Sequence, residues 1–352
     1  MELPGKRIVE LDGLRGVAIL LVLFGHYCSY ILPKVEVFEF ASLGVDVFFV
    51  LSGFLIGGII LDGQGAAGFL GSFYRRRAAR ILPIYFLVIA AAFVAQSLAA
   101  GQPWMDRLES PWVYMAFLSN FALAHMGRTG LLLNPTWSLA IEEQFYLLMP
   151  FVIMAVPRRL LPWVLGALCV VAIVLRGLWS SNIAAIEVLL PCRMDALLLG
   201  VGAALAQRHF ELRRYVTPLL AAALVPVVIY LLLVMTLNRG AAPFTHTAYA
   251  AATALFLLAV VNGLPSGGGL RSPWLRFFGE ISYGLYLIHE PVRILLTGAI
   301  LGTTIFVPSL NRIPVTLLAT VVAVALATLS WRYFEKPIIQ RAARRRLALA
   351  AA

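Results

Sequence analysis

His26 stands near the end of an apolar run, GVAILLVLFGHY. Inside a membrane such a residue is costly unless something uses it. Histidine is the side chain whose ordinary pKa suits proton transfer near neutral pH. With a carboxylate nearby it can act as a general base on a hydroxyl. The competing reading is a packing residue that makes a hydrogen bond. Arg15 lies eleven positions earlier, about 16 Å along a helix, too far for direct contact. It either anchors the chain to headgroups or grips an anion at the base of a passage. Glu142 and Glu143, Arg193 and Asp195, and His289, Glu290 and Arg293 also fall inside apolar runs, and Asp46 opens another. These residues either line a membrane-embedded cavity open to the outer face or form buried ion pairs that fix helix packing.

A second chemical feature is SFYRRRAARILPIY, in which Arg76, Arg77 and Arg80 recur at helical spacing. Guanidinium groups grip phosphate bidentately, so the block can clamp a phosphorylated donor. Membrane anchoring is the alternative. Pro83 follows, where it can kink a helix. Ser52 precedes Gly53 in another apolar run, but no base is placed against it by spacing, so no chemistry is assigned to it.

The elements that position these residues follow from composition. Hydrophobic residues make up 61% of the 352 and charged residues 13%. A soluble domain averages about 45–50% apolar and about 25% charged. Crossing the hydrocarbon core takes about 20 apolar residues. Ten such runs are predicted, near 16–33, 43–62, 81–100, 137–156, 160–177, 185–207, 215–236, 247–264, 277–300 and 314–335. Backbone groups in lipid must be satisfied internally, so the fold class is all-α, a polytopic transmembrane helix bundle. No polar–apolar alternation supports a barrel. The stretch 111–124 is short and punctuated, and is read as a re-entrant or interfacial helix. Residues 1–340 form one transmembrane domain, and 341–352 a short basic tail.

The net charge is +11. No soluble stretch is long enough to carry a nucleic-acid-binding face. The charge instead follows the positive-inside rule. Of 28 Lys and Arg, 20 fall on one side of the predicted spans, 6 on the other, and Arg193 and Arg293 within them. Both termini are therefore expected to be cytoplasmic. On this topology His26 lies in the outer half. Glu142 and Glu143 lie about 10 Å in from the outer surface, and Arg193 and Asp195 about 12–15 Å. His289 reaches the outer half from below. The three cysteines, Cys28, Cys169 and Cys192, lack metal-ligand spacing, and no cleavable signal peptide is expected.

Several segments together resemble the acyltransferase-3 family of integral-membrane O-acyltransferases. They are LDGLRGVAILLVLFGHY at 11–27, GVDVFFVLSGFLIG at 44–57, FYRRRAARILPIY at 73–85, NPTWSLAIEEQFYLLMP at 134–150, RMDALLLGVGAAL at 193–205, FFGEISYGLYLIHEPV at 277–292 and WRYFEKP at 331–337. The resemblance implies a multi-pass protein of the bacterial inner membrane. It would move an acyl group from acyl-coenzyme A, most simply acetyl-coenzyme A, to a hydroxyl of a sugar or lipid-linked glycan. It implies His26 as the base, with Arg15 and Glu142 in the catalytic set and Glu143 supporting. Coenzyme A phosphates are expected on Arg76, Arg77 and Arg80. Asp46, Arg193, Asp195 and His289 are expected around the substrate cavity. Some relatives carry an extra span and an extracellular hydrolase-like domain. Neither is read here, so direct transfer is expected. The rival reading is a transporter or flippase of a glycan or lipid-linked substrate, with the ionisable residues as its path.

Overall fold

The computed structural model describes residues 8–29, 31, 38–127, 130–237, 243–303 and 309–342. Lys6, Arg7, Lys34, Arg128, Arg239 and Arg344 to Arg346 of the charge census lie outside them, as does all of the tail beyond 342. The described residues fold into α1 Val9–Cys28, α2 Phe38–Gly63, α3 Phe69–Leu98, α4 Pro111–Met115, α5 Ser119–Met126, α6 Thr136–Ala155 and α7 Leu161–Leu178. The chain continues through α8 Ile183–Val188, α9 Leu190–His209, α10 Val216–Leu237, α11 Thr245–Val261, α12 Pro273–Leu301 and α13 Ile313–Ser330. Among the described residues, nine helices are long and apolar enough to cross a membrane. The run expected at 247–264 is the apolar helix α11, which has 17 residues.

Four boundaries differ from expectation. The first helix begins at Val9, so Arg15 sits well inside it rather than at its edge. Polar LDGLRG continues the helix because Asp12 and Arg15 pair at 3.4 Å and the glycines pack against α12 and the turn before it. The third helix begins at Phe69, which makes the arginine block helical. The sixth expected span is broken at Leu189, whose extended backbone (φ −88°, ψ 137°) separates α8 from α9. Pro191 then opens α9, where its missing N–H does no harm. The stretch 111–124 is two short helices, with Phe117 between them at φ 53°.

Contacts sort the helix ends onto two faces. On the first, where α1 begins, Arg271 pairs with Glu10 at 2.6 Å and Arg208 with Asp62 at 2.6 Å. Arg158 donates to the Leu61 carbonyl there at 3.0 Å. These three arginines fall on one side in the charge census as well. On the second face α7, α8, α9 and α11 meet through Arg176, Asp195, Arg193 and His246.

A frame of α1, α2, α9 and α12 is drawn together at glycines. A Cβ at Gly13 or Gly16 would overlap the Leu270 or Leu275 carbonyl, and one at Gly279 the Asp12 carbonyl. Gly53 and Gly200 do the same between α2 and α9, against Leu197 and Val50. Without a hydrophobic drive between helices in lipid, close backbone approach supplies the dispersion contact that holds them. Gly53→Ala therefore forces a methyl into backbone that cannot rotate away. A loss of about 1–3 kcal/mol is expected from such overpacking. It should appear as a lower melting temperature of the detergent-solubilised protein. The outer helices look different. Leu224, Val225, Val228, Ile229, Leu231 and Leu232 of α10 are all exposed, an apolar surface suited to acyl chains.

Candidate functional site

Helices α1, α2, α3, α6 and α12 enclose a cavity of about 780 Å³, its open mouth included. Helices α3, α6 and α12 each give its wall polar residues at helical spacing. On α6 the stripe is Ser138, Glu142 and Tyr146; on α12 it is Ser282 and Tyr286; on α3 it is Arg77 and Arg80. Ser52 comes from the middle of α2 and Arg15 from α1. Ser52 donates to Glu142 Oε1 at 2.6 Å, and Arg77 lies over the Tyr146 ring at 5.7 Å. Phe48, Phe49 and Leu55 supply apolar wall. Three guanidiniums against two carboxylates leave the lining with a formal excess of positive charge, which favours an anionic guest.

Tyr286 lines this space beside Ser138. Ser138 Oγ lies 3.1 Å from the Pro135 carbonyl, which can only accept, so Ser138 spends its hydrogen there. Tyr286 then donates to Ser138 Oγ at 2.6 Å. The Tyr286 ring lies 5.8 Å from that of His289, one helical turn farther along α12. His289 Nε2 is 2.8 Å from His26 Nδ1, and the two rings are nearly parallel. Tyr27 donates to the His289 carbonyl at 2.9 Å. Glu290 and Arg293 pair beside them through Arg293 Nε at 3.0 Å and a second contact. Tyr286, a cavity residue, and His289 are thus one turn apart on α12, which puts the histidine pair next to the cavity wall.

The candidate site residues fall into four places. Arg15, Arg77, Arg80, Glu142 and Glu143 line the cavity. Arg76 does not: it turns to Ser72 Oγ at 3.2 Å, on another side of α3. His26 and His289 form the pair beyond Tyr286. Asp46, Arg193 and Asp195 belong to a buried ion-pair network nearer the second face. There Arg193 meets Asp46 at 2.7 Å and Glu187 at 3.2 Å, and His246 bridges Asp46 at 3.2 Å and Glu187 at 3.0 Å. Arg176, assigned to an outer loop by the charge census, is buried and pairs with Asp195 at 2.8 Å. That is the packing role weighed against the cavity role for these charges.

Ser138, Tyr146 and Tyr286 are cavity residues that carry no formal charge and so draw no notice in the sequence, while Ser52, to which spacing assigns no chemistry, also lines the cavity. The signal that finds them is periodicity. Ser282, Tyr286, His289 and Arg293 recur at four, three and four residues, one polar stripe down an otherwise apolar helix.

A helical membrane bundle with a charged, half-apolar cavity beside a histidine pair is the framework of an integral-membrane enzyme or carrier. The model of the acyltransferase-3 family, described as an acyltransferase domain, matches residues 8–332, and the chain belongs to that family. It is similar to YrhL of Bacillus subtilis, provisionally named a peptidoglycan O-acetyltransferase. Identity is 29% over 371 residues, 95% of this chain and 55% of that protein. It is 25% identical to the O-acetyltransferase OatA of Staphylococcus aureus, over 96% of this chain and 57% of the relative. The peptidoglycan O-acetyltransferase OatA of Listeria monocytogenes is 27% identical over 95% and 56%. The chain thus spans little more than half the length of these curated relatives. No solved structure matches it.

Proposed function

We propose that this protein transfers an acyl group from acyl-coenzyme A to a hydroxyl of a sugar or glycan, with His26 as the base. The observation that carries this reading is a juxtaposition: the cavity lined by three guanidiniums also has Tyr286 in its wall, and one turn from Tyr286 on α12 His289 pairs with His26. Three guanidiniums suit a donor bearing several phosphates, and Phe48, Phe49 and Leu55 suit its thioester arm. On the positive-inside assignment the donor enters from the cytoplasm and the acceptor from outside. The bacterial relatives and the multi-pass bundle support an inner-membrane location. The relatives' names, peptidoglycan O-acetyltransferases, support a cell-wall glycan as the acceptor.

In this scheme the acceptor hydroxyl gives its proton to His26 as its oxygen attacks the thioester carbonyl. The new C–O ester bond forms, the C–S bond breaks, and the coenzyme A thiolate leaves and takes up the proton. The Tyr286–Ser138 hydrogen bond, in the wall nearest the histidines, opens as the thioester arm moves from the cavity toward them. Arg77 and Arg80 hold phosphate, while Arg15 and Glu142, with Glu143 supporting, set the charge around the arm. Asp46, Arg193 and Asp195 hold helices together.

The test is to supply labelled acetyl-coenzyme A and a cell-wall glycan to membranes carrying the protein. Release of coenzyme A matched by label on the glycan is expected. Movement of unmodified glycan across the membrane, with coenzyme A unreleased, would instead make it a carrier. Within this scheme Arg77→Ala and Arg80→Ala each remove a charge-assisted phosphate contact of about 1.5–3 kcal/mol. The KM for acetyl-coenzyme A should rise at least tenfold in each, with kcat changed less. An unchanged KM in both would move the phosphate site elsewhere.

A further inference from the structure

We infer that His289 is a positioning residue that fixes the tautomer of His26 and thereby selects Nε2 of His26 as the basic nitrogen. This rests on the reading of His26 as the base.

Donors and acceptors run in a chain from the α12 backbone to His26. His289 Nδ1 lies 2.7 Å from the Tyr286 carbonyl and 3.1 Å from the Leu285 carbonyl. Carbonyl oxygens only accept, so His289 Nδ1 carries the hydrogen. In a neutral imidazole the other nitrogen is then an acceptor. His289 Nε2 is that nitrogen, and it sits 2.8 Å from His26 Nδ1. His26 Nδ1 must therefore be the donor, and His26 in turn keeps its lone pair on Nε2. The neutral state of His289 agrees with its surroundings. It is fully buried, where an imidazolium bears the cost of leaving water. The nearest carboxylate, Glu290, turns both oxygens to Arg293.

Two backbone features hold the relay in place. The carbonyls that fix His289 belong to its own helix, three and four residues back, so the α12 backbone dictates the tautomer. Tyr27 grips the His289 carbonyl from α1, next to His26 itself, which keeps the two helices in register. When His26 takes the acceptor proton on Nε2 it becomes an imidazolium, still donating from Nδ1 to His289. The orientation that serves the neutral base thus also serves its protonated form, as an orienting partner does for a catalytic histidine.

The experiment combines nitrogen NMR with kinetics on the full-length protein in lipid. Solid-state 15N spectra of protein labelled at its five histidines, with the His26 signal assigned by its loss in His26→Ala, report which ring nitrogen bears hydrogen. The wild type is expected to show His26 protonated on Nδ1 and bare on Nε2. His289→Leu removes the acceptor and should lower kcat about 100-fold at unchanged KM for acetyl-coenzyme A, within the range a misoriented base costs. His289→Gln can place a carboxamide oxygen near the lost Nε2, and should restore both the tautomer and most of kcat. Finding His26 protonated on Nε2 in the wild type overturns the inference, and that spectrum is decisive even where the His289 variants fail to fold. So does a His289→Leu protein with wild-type kcat. Transfer that survives in His26→Ala overturns the base instead, and the wild-type spectrum still answers the question of tautomer.

Discussion

Replacing His26 with alanine is expected to lower acyl transfer by about 10³-fold, the middle of the range that a positioned general base contributes. The folded protein should persist. His26 sits in the last turn of α1 and is half-buried, and its ring meets His289 rather than filling the tightly packed frame. Coenzyme A release from membranes holding equal amounts of wild type and variant measures the effect. A variant that transfers at the wild-type rate would remove His26 from the chemistry. Equal loss of rate and of folded protein would reduce it to a packing residue.

The second large effect is on stability. Arg193→Ala removes the guanidinium from Asp46, which is wholly buried and keeps His246 beside it, and weakens the hold on Glu187. Breaking a buried ion pair on one side leaves an uncompensated charge and costs about 3–5 kcal/mol. The yield of folded protein in the membrane should fall sharply, as should its melting temperature in detergent. The double change Asp46→Leu with Arg193→Met removes both charges and should recover much of that loss, since apolar pairs of similar volume often replace buried ion pairs without penalty. If the double variant is as unstable as the single one, the pair has a role beyond its own neutralisation.

Sequence and structure agree best where one physical cause dominates. Hydrocarbon length and the need to satisfy backbone groups fix helices, and nine of the ten expected runs are helices long enough to span. Boundaries fared worse where polar residues are helical because of tertiary contacts. Arg15 and the arginines from Arg75 to Arg80 lie within helices that begin well before the apolar runs do. Local hydropathy cannot register that, because Arg15 is held by Asp12 and by a cavity made from other helices.

The charges themselves were legible, but their grouping was not. Helical depth places Arg193, Asp195 and Glu142 at overlapping levels, yet depth says nothing about the angle around the bundle. That angle is set by which helices touch, and it sends Arg193 to Asp46 while Glu142 meets Ser52. Neighbouring arginines show the same limit on a smaller scale. Arg76 and Arg77 are adjacent in sequence but about 100° apart around a helix of 3.6 residues per turn, so one faces the cavity and the other Ser72.

The glycine seams bear on how such a chain drifts over generations. A site at which any added carbon strikes main chain admits almost no replacement, whatever the substrate. Gly13, Gly16, Gly53 and Gly279 lie inside the same short segments that make the chain resemble its relatives. Part of what a reader takes for a signature of chemistry is therefore carpentry: joints that any descendant must keep in order to stand, even one that has lost or exchanged its reaction.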